Sequence, residues 1–503
     1  IPSSQSTSTL ASSTLNNSGV INSYDTASLQ QTGAITNSGE IAAGSFDVSA
    51  SSLNNTGKLL QTGSGQLGVT TKSLINSQGG IIGQDLYADA STPPVTVPTT
   101  TPPTTANNGS SVQENNTTPN PSEPAPVPLA PVTRDGTINV DNVTNTGSIY
   151  SNGKINIAAD NVTNEGKSSL AVTTLDIANN GSLTNNDSRV QLENIDWQLA
   201  SFDNSNSQIS ATNTITIVSA DQINNTKGTI EAAGNIALSA QNALNNTSGA
   251  IRSNGTITTK SASLDNTQGV MSSQGALSID NSGNLINNQG RLQSDDTLTL
   301  NTKGYSNTGG TIIGVQRADI VTFNDITITS DNNNIQAGNL ALSTQGVFTN
   351  TNKLSAQNAL TITANRIDNQ QGGELTSSGS TQLIAATDID NRGLINGVNT
   401  YLNATDSVNN YSNGRIYGDQ VAIAATTLNN TPDSTSPAPV IAARNRLDIG
   451  VKTLNNNPNQ ARAGKFNEDF NGQARLLSNG ELHIGGSLDA NQQAVGRATT
   501  VTN

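Results

Sequence analysis

Residues 242–275 read NALNNTSGAIRSNGTITTKSASLDNTQGVMSSQG, and the second half restates the first. Leu244-Asn245-Asn246 precedes Gly249-Ala250-Ile251 and Ser253, as Leu264-Asp265-Asn266 precedes Gly269-Val270-Met271 and Ser273. Outward from this stretch the same unit recurs: an aliphatic residue, any residue, Asn, a short turn ending in Gly, then an alternating apolar run. Copies begin at Leu53, Val143, Leu285, Ile367, Ile389 and Val408. Units starting at Ile223, Leu244, Leu264, Leu285 and Tyr305 are spaced 21, 20, 21 and 20 residues apart. A fixed period of this size marks a repeat architecture.

Within each unit the apolar residues alternate, as in Ile236-Ala237-Leu238-Ser239-Ala240 and Leu298-Thr299-Leu300. That is the period of a strand, and no stretch has helical spacing. Each unit therefore holds two or three short strands joined by Asn/Gly turns. One unit cannot bury its own apolar face, so units must stack. The expected fold is all-β, a right-handed parallel β-helix of about 22 coils, one per ~20-residue repeat, giving a rod about 105 Å long at ~4.8 Å per coil.

Stacking gives asparagine a task. The second Asn of each turn lies over its counterpart one coil away, and an amide offers two donors and an acceptor. It can satisfy the turn backbone and still bond the amide above, building a ladder. The expected ladder residues are Asn55, Asn145, Asn164, Asn225, Asn246, Asn266, Asn369, Asn391 and Asn410. Gly249 and Gly269 are expected to turn the corner, since Gly tolerates left-handed backbone.

Composition narrows the function. The chain has 503 residues, 12% charged and 3% aromatic, so aromatic-centred globular cores are not expected. A net charge of −14 excludes a basic face for nucleic acid or an anionic membrane. With no cysteine there are no disulfides or thiolate sites. No apolar run approaches the roughly 20 residues of a membrane helix, so stable insertion is not expected. Ile1-Pro2-Ser3 carries no signal-peptide pattern and the repeat begins almost at once, as expected of a processed or excised piece.

The pattern predicts repeats over 1–90 and 133–454, with an insertion at 91–132 that holds eleven of the sixteen prolines. Proline cannot donate to a ladder, so 91–132 is expected to be a disordered or polyproline-like loop leaving a continuous rod, or else a link between two rods. An irregular coil is expected near 187–206 and a loop near 431–440, where Pro432, Pro437 and Pro439 fall. Residues 455–503 read as an irregular loop followed by terminal coils. Trp197, the single tryptophan, is either packed beneath its coil or a platform for stacking on a glycan.

Chemistry is sparse. His483 is the only histidine and cannot form a His-based metal cluster. Neither a Walker A loop nor a dinucleotide-binding glycine motif occurs. β-Helices also host polysaccharide-cleaving enzymes, which need converging acids. Candidate acids are Asp295-Asp296, Glu468-Asp469, and Asp388 and Asp390 with Arg392. Asp388 and Asp390 share a strand face, but no further acid is expected at matching positions of adjacent coils. Catalytic, metal and cofactor sites are therefore all expected to be absent.

The unit LDNTQGVMSSQGALSIDNSGNLINNQGRLQSDDTLTL resembles the haemagglutinin repeats of filamentous-haemagglutinin-type proteins that Gram-negative bacteria secrete through two-partner systems. The run LLSNGELHIGGSLDANQQAVGRATTVTN resembles the segment after the first repeat array of contact-dependent growth inhibition effectors. The resemblance implies a secreted, cell-surface, monomeric rod exported through an outer-membrane transporter by a region not in this sequence. It implies a stalk holding a distal receptor-binding or toxin-bearing region towards a neighbouring cell. An adhesin whose rod binds glycans or matrix is the alternative, and a polysaccharide-degrading β-helix the third reading.

Overall fold

The computed structural model describes residues 6–63, 65–84, 135–151, 154–433, 437–457 and 473–503. The expected disordered insertion at 91–132 lies outside the described residues, as do most of the loop after 455 and the pair Glu468-Asp469. All regular structure among the described residues is strand.

One coil shows how the repeat folds. A long-face strand, Ile236–Ala240, is followed by a short-face strand, Ala243–Asn245, and a third-face strand, Ala250–Ser253. Each pairs in parallel with its equivalent one repeat later, placing Ile236 opposite Ile257, Leu244 opposite Leu264 and Ile251 opposite Met271. Because strand side chains alternate, every second residue enters the bore. Ile236, Leu238, Leu244 and Ile251 are buried there, stacked on like residues above and below. The result is a parallel β-solenoid whose core is a column of buried side chains from Leu15 to Leu454.

The short face has 21 levels from Asn17 to Asn503, slightly fewer than the expected 22. Twenty steps of about 4.8 Å give a rod about 95 Å long. The insertion adds no level. Leu67–Asn76 pairs directly with Asp135–Asn145, and Ile81–Gln84 with Ser148–Tyr150. The stack is therefore continuous across this point, not two linked rods.

The expected irregularity near 187–206 is present but local. Arg189–Leu192 stacks in register on both sides, whereas within Ile195–Asp203 Ala200 is an extra residue, because the consecutive Gly181 and Ser182 pair with Leu199 and Ser201. A larger excess lies one level earlier, where Ala159 and Asn161 pair with Ile177 and Ser182, beside Asn180 at φ 68°. Trp197 and Phe202 fill the bore of this coil.

The chain end also departs from plain coils. After Glu481–Gly485 the chain forms an antiparallel hairpin, pairing Ser487–Leu488 with Ala494–Val495, before Thr500–Thr502 rejoins the short face. This hairpin lies back against the outside of the long face. A Cβ on Gly450, whose face points outward, would sit 2.3 Å from the Ser487 backbone, and Asp448 is 4% exposed although it also points away from the bore.

Candidate functional site

The dominant constellation is a column of asparagines on the short face. Asn–Asn bonds run from Asn17 to Asn307 in twelve steps and from Asn350 to Asn503 in six. The structure places all nine predicted residues in it: Asn55, Asn145, Asn164, Asn225, Asn246, Asn266, Asn369, Asn391 and Asn410 are each fully buried.

Asn246 shows the wiring. One amide N–H donates to Asn266 Oδ1 at 2.7 Å. The amide nitrogen also lies 3.3 Å from the Val270 carbonyl and 3.4 Å from that of Gly249. Asn246 Oδ1 accepts from Asn225 Nδ2 at 2.7 Å. A buried amide is costly only when unpaired, and here both ends are used.

The turn works differently from the expectation for Gly249 and Gly269. The left-handed residues are Ser248 (φ 54°) and Gln268 (φ 56°), one position earlier. Gly249 is required by close approach: a Cβ there would lie 2.2 Å from the Asn225 carbonyl oxygen and 2.6 Å from Asn246 Oδ1. Gly269 meets Asn246 and Asn266 in the same way. Glycine lets the corner close over the ladder.

Sequence reading missed Asn17, Asn37, Asn76, Asn185, Asn204, Asn287, Asn307, Asn350, Asn430, Asn456 and Asn503. A signal was present. Each has a large apolar residue two positions earlier, including Phe202, Tyr305 and Phe348, which stand where other copies have an aliphatic. The ladder breaks once, where buried Ile328 occupies the asparagine position opposite Asn350. There the corner is held instead by Asn332, which accepts from Thr329 N–H at 2.8 Å and donates to the Thr327 carbonyl at 2.7 Å.

Trp197 is inside the bore, 2% exposed, its indole N–H donating to the Leu175 carbonyl at 2.7 Å. Phe202 packs 6.3 Å away, centroid to centroid. Trp197 therefore has no free face to offer a sugar, and the glycan-stacking expectation for it is overturned.

The candidate acids do not converge. Asp295 is exposed and accepts from Gln293 Nε2 at 3.0 Å. Asp390 is 5% exposed, bound by Arg366 of the preceding level and by Asn409 Nδ2 at 2.8 Å. An acid does stand at a matching position, against expectation: Asp368 is the register partner of Asp390. The hydrogen bond with Asp390 raises the Arg366 guanidinium pKa further, with burial opposing and nearby carboxylates assisting. Arg392 turns away to pair with Asp433 at 3.1 Å and lies over the Tyr411 ring at 4.3 Å. His483 is half-exposed beside Glu481, at 3.4 Å. Among the described residues no group of three His, Cys, Asp or Glu side chains is placed to hold a metal.

This geometry repeats one structural device along the molecule, and comparison with known proteins agrees. The model of the haemagglutinin repeat matches residues 132–187, 194–289, 285–333 and 328–393, together 256 of the 503 residues. No curated protein and no solved structure matches the chain. With a stacked coil for every matched repeat, the chain belongs to the haemagglutinin-repeat family.

Proposed function

We propose that the chain is the stalk of a filament on the surface of a Gram-negative bacterium, holding a distal receptor-binding or toxin-bearing region towards a target cell, as in contact-dependent growth inhibition. The observation that carries this reading is one short-face column stacked through 21 levels, interrupted only where Ile328 takes the asparagine position. Haemagglutinin repeats are typical of secreted, surface-exposed exoproteins, in keeping with this role. Export would use an outer-membrane two-partner transporter, and a parallel stack with no disulfides suits a chain that folds coil by coil as it emerges.

Length and stiffness are the predicted product. Small-angle scattering of the purified chain should show a rod with a longest dimension of at least about 95 Å. In producing cells, deleting whole repeats should lower contact-dependent activity in step with the lost length. A compact particle in solution, or activity indifferent to length, would sink the proposal.

A further inference from the structure

The outward side chains of the long face form columns, one residue per level, and one column has an order the rod itself does not need. From Val218 it runs through Ser239, Lys260, Asp280 and Asn301 to Val321, each the register partner of the one before. From either end the order is the same in kind: a valine, a neutral polar group, then a charge. The two charges meet in the middle with opposite sign. Val218 is 42% and Val321 43% exposed, and Lys260, Asp280 and Asn301 are exposed between them. Lys260 has no ion-pair partner among the described residues, although Asp280 is its neighbour in the column.

The corner column, two residues further along each level, is also graded. Phe323, 63% exposed, stands at the end of a corner groove of about 670 Å³ whose floor holds Ala262 and Ser282. At the other end of the column the same place is taken by the exposed Ala220. A bulky apolar ring and a small apolar residue therefore flank the two valines at opposite ends.

We propose that this face is the contact between two copies of the chain, packed face to face and antiparallel, in place of the single rod that the repeat resemblance implies. The two-fold axis runs along the strands, between Lys260 and Asp280. Such an axis reverses the order of levels but keeps each column opposite itself. Lys260 of each copy then faces Asp280 of the other, and Ser239 faces Asn301. Val321 and Phe323 of one copy come over Val218 and Ala220 of the other. A two-fold contact is isologous, so only a self-complementary patch can make it. Sliding one copy by a level sets Lys260 against Lys260 or Asp280 against Asp280, and a parallel pair in register does both.

The area is sufficient. Six levels at ~4.8 Å and a face about 20 Å wide give about 600 Å² per copy, or about 1,200 Å² in total, the lower end for a specific interface. Charge also permits it. In a chain of net charge −14, Lys260 and Lys303 outnumber Asp280 here, and Arg317 is paired with Asp319. The hairpin on Gly450 stands about 40 Å along the rod from the axis at ~4.8 Å per level. Sheets packed face to face cross at about 30°, which carries that hairpin about 20 Å to the side of the other copy.

Sedimentation and small-angle scattering of the purified chain across concentration test the pairing. The mass should double while the longest dimension stays near that of one rod, because the axis lies close to the rod's middle. Lys260→Asp and Asp280→Lys should each weaken the dimer by about tenfold or more. Mixing the two variants should restore it, since each charge then meets its opposite at both positions. Phe323→Ala should weaken the dimer several-fold, and Tyr24→Ala, an exposed aromatic near the chain start, should leave it unchanged. The chain has no cysteine, so Val218→Cys and Val321→Cys can be oxidised together: disulfide dimers should form in the mixture and not in either variant alone. Circular dichroism of each variant verifies that the rod is intact. A monomer up to millimolar concentration, cross-linking of Val218→Cys with itself, or no rescue in the charge-swapped mixture overturns the proposal. A monomer that is still a rod leaves the stalk reading untouched, whereas a compact particle defeats the stalk.

Discussion

Asparagine contributes here through its position in a column rather than through its own turn. Asn246 touches both neighbouring levels, so truncating it leaves Asn266 Oδ1 without its donor and removes the shortest of the three acceptors around Asn225 Nδ2, leaving the Gly228 and Ala250 carbonyls at 3.2 Å. Asn246→Ala should lower stability by about 1–3 kcal/mol, measured by chemical denaturation; an unchanged midpoint would contradict the ladder's role. Gly249→Ala tests the close approach separately. Ser248 already holds the left-handed position, so no backbone strain is added, and the cost comes from the 2.2 Å encounter with the Asn225 carbonyl. A loss of about 1–3 kcal/mol is expected, with Ser248→Gly close to neutral in the same assay. The aliphatic-x-Asn spacing made nine ladder residues legible. Eight more share that spacing, from Leu15-x-Asn17 to Val501-x-Asn503, and only Asn204, Asn307 and Asn350 were obscured, because Phe202, Tyr305 and Phe348 replace the aliphatic and bore volume, not residue type, decides what fits. Tyr305 illustrates the cost: burial pushes its hydroxyl pKa up, and the buried oxygen has no hydrogen-bond partner.

At the scale of elements, the strands follow directly from alternation, whereas the hairpin near the chain end does not. Its anchor is Asp448, which accepts the Ala494 N–H at 2.8 Å and pairs with Arg446. Burial disfavours the charged carboxylate, but the Arg446 and Ala494 hydrogen bonds and the neighbouring positive charge outweigh it, and the pKa is lowered. A lowered carboxylate pKa lends stability that is complete above the unfolded value near 4 and is lost as pH falls through the folded one. Hydrogen exchange at residues 486–497 should therefore be slow at pH 6 and quicken below about pH 4. In Asp448→Asn it should be fast at both; equal protection of the two proteins at pH 6 would remove Asp448 as the anchor.

For the whole molecule, stability is a sum over neighbouring levels, so what joins two levels matters more than how much chain lies between them. Asn76 and Asn145 are 69 residues apart yet bond at 2.8 Å, as adjacent levels do elsewhere. Replacing residues 86–133 by the corner Thr62–Gln66, which already links third face to long face one level earlier, should leave the melting temperature and the rod's scattering profile unchanged. A large loss of stability would show that the insertion braces the stack. The period, the bore residues, the parallel stack and much of the ladder were determined by the sequence alone, because each coil repeats one local rule and meets only its neighbours. Only the tertiary structure decided the rest. Trp197 faces inward, Gly249 is needed for clearance rather than for φ, Asp368 stands beside Asp390, and Phe323 lies exposed at the end of a groove. Each of these depends on what the adjacent level places against the residue, and the residue's own stretch of chain does not encode that.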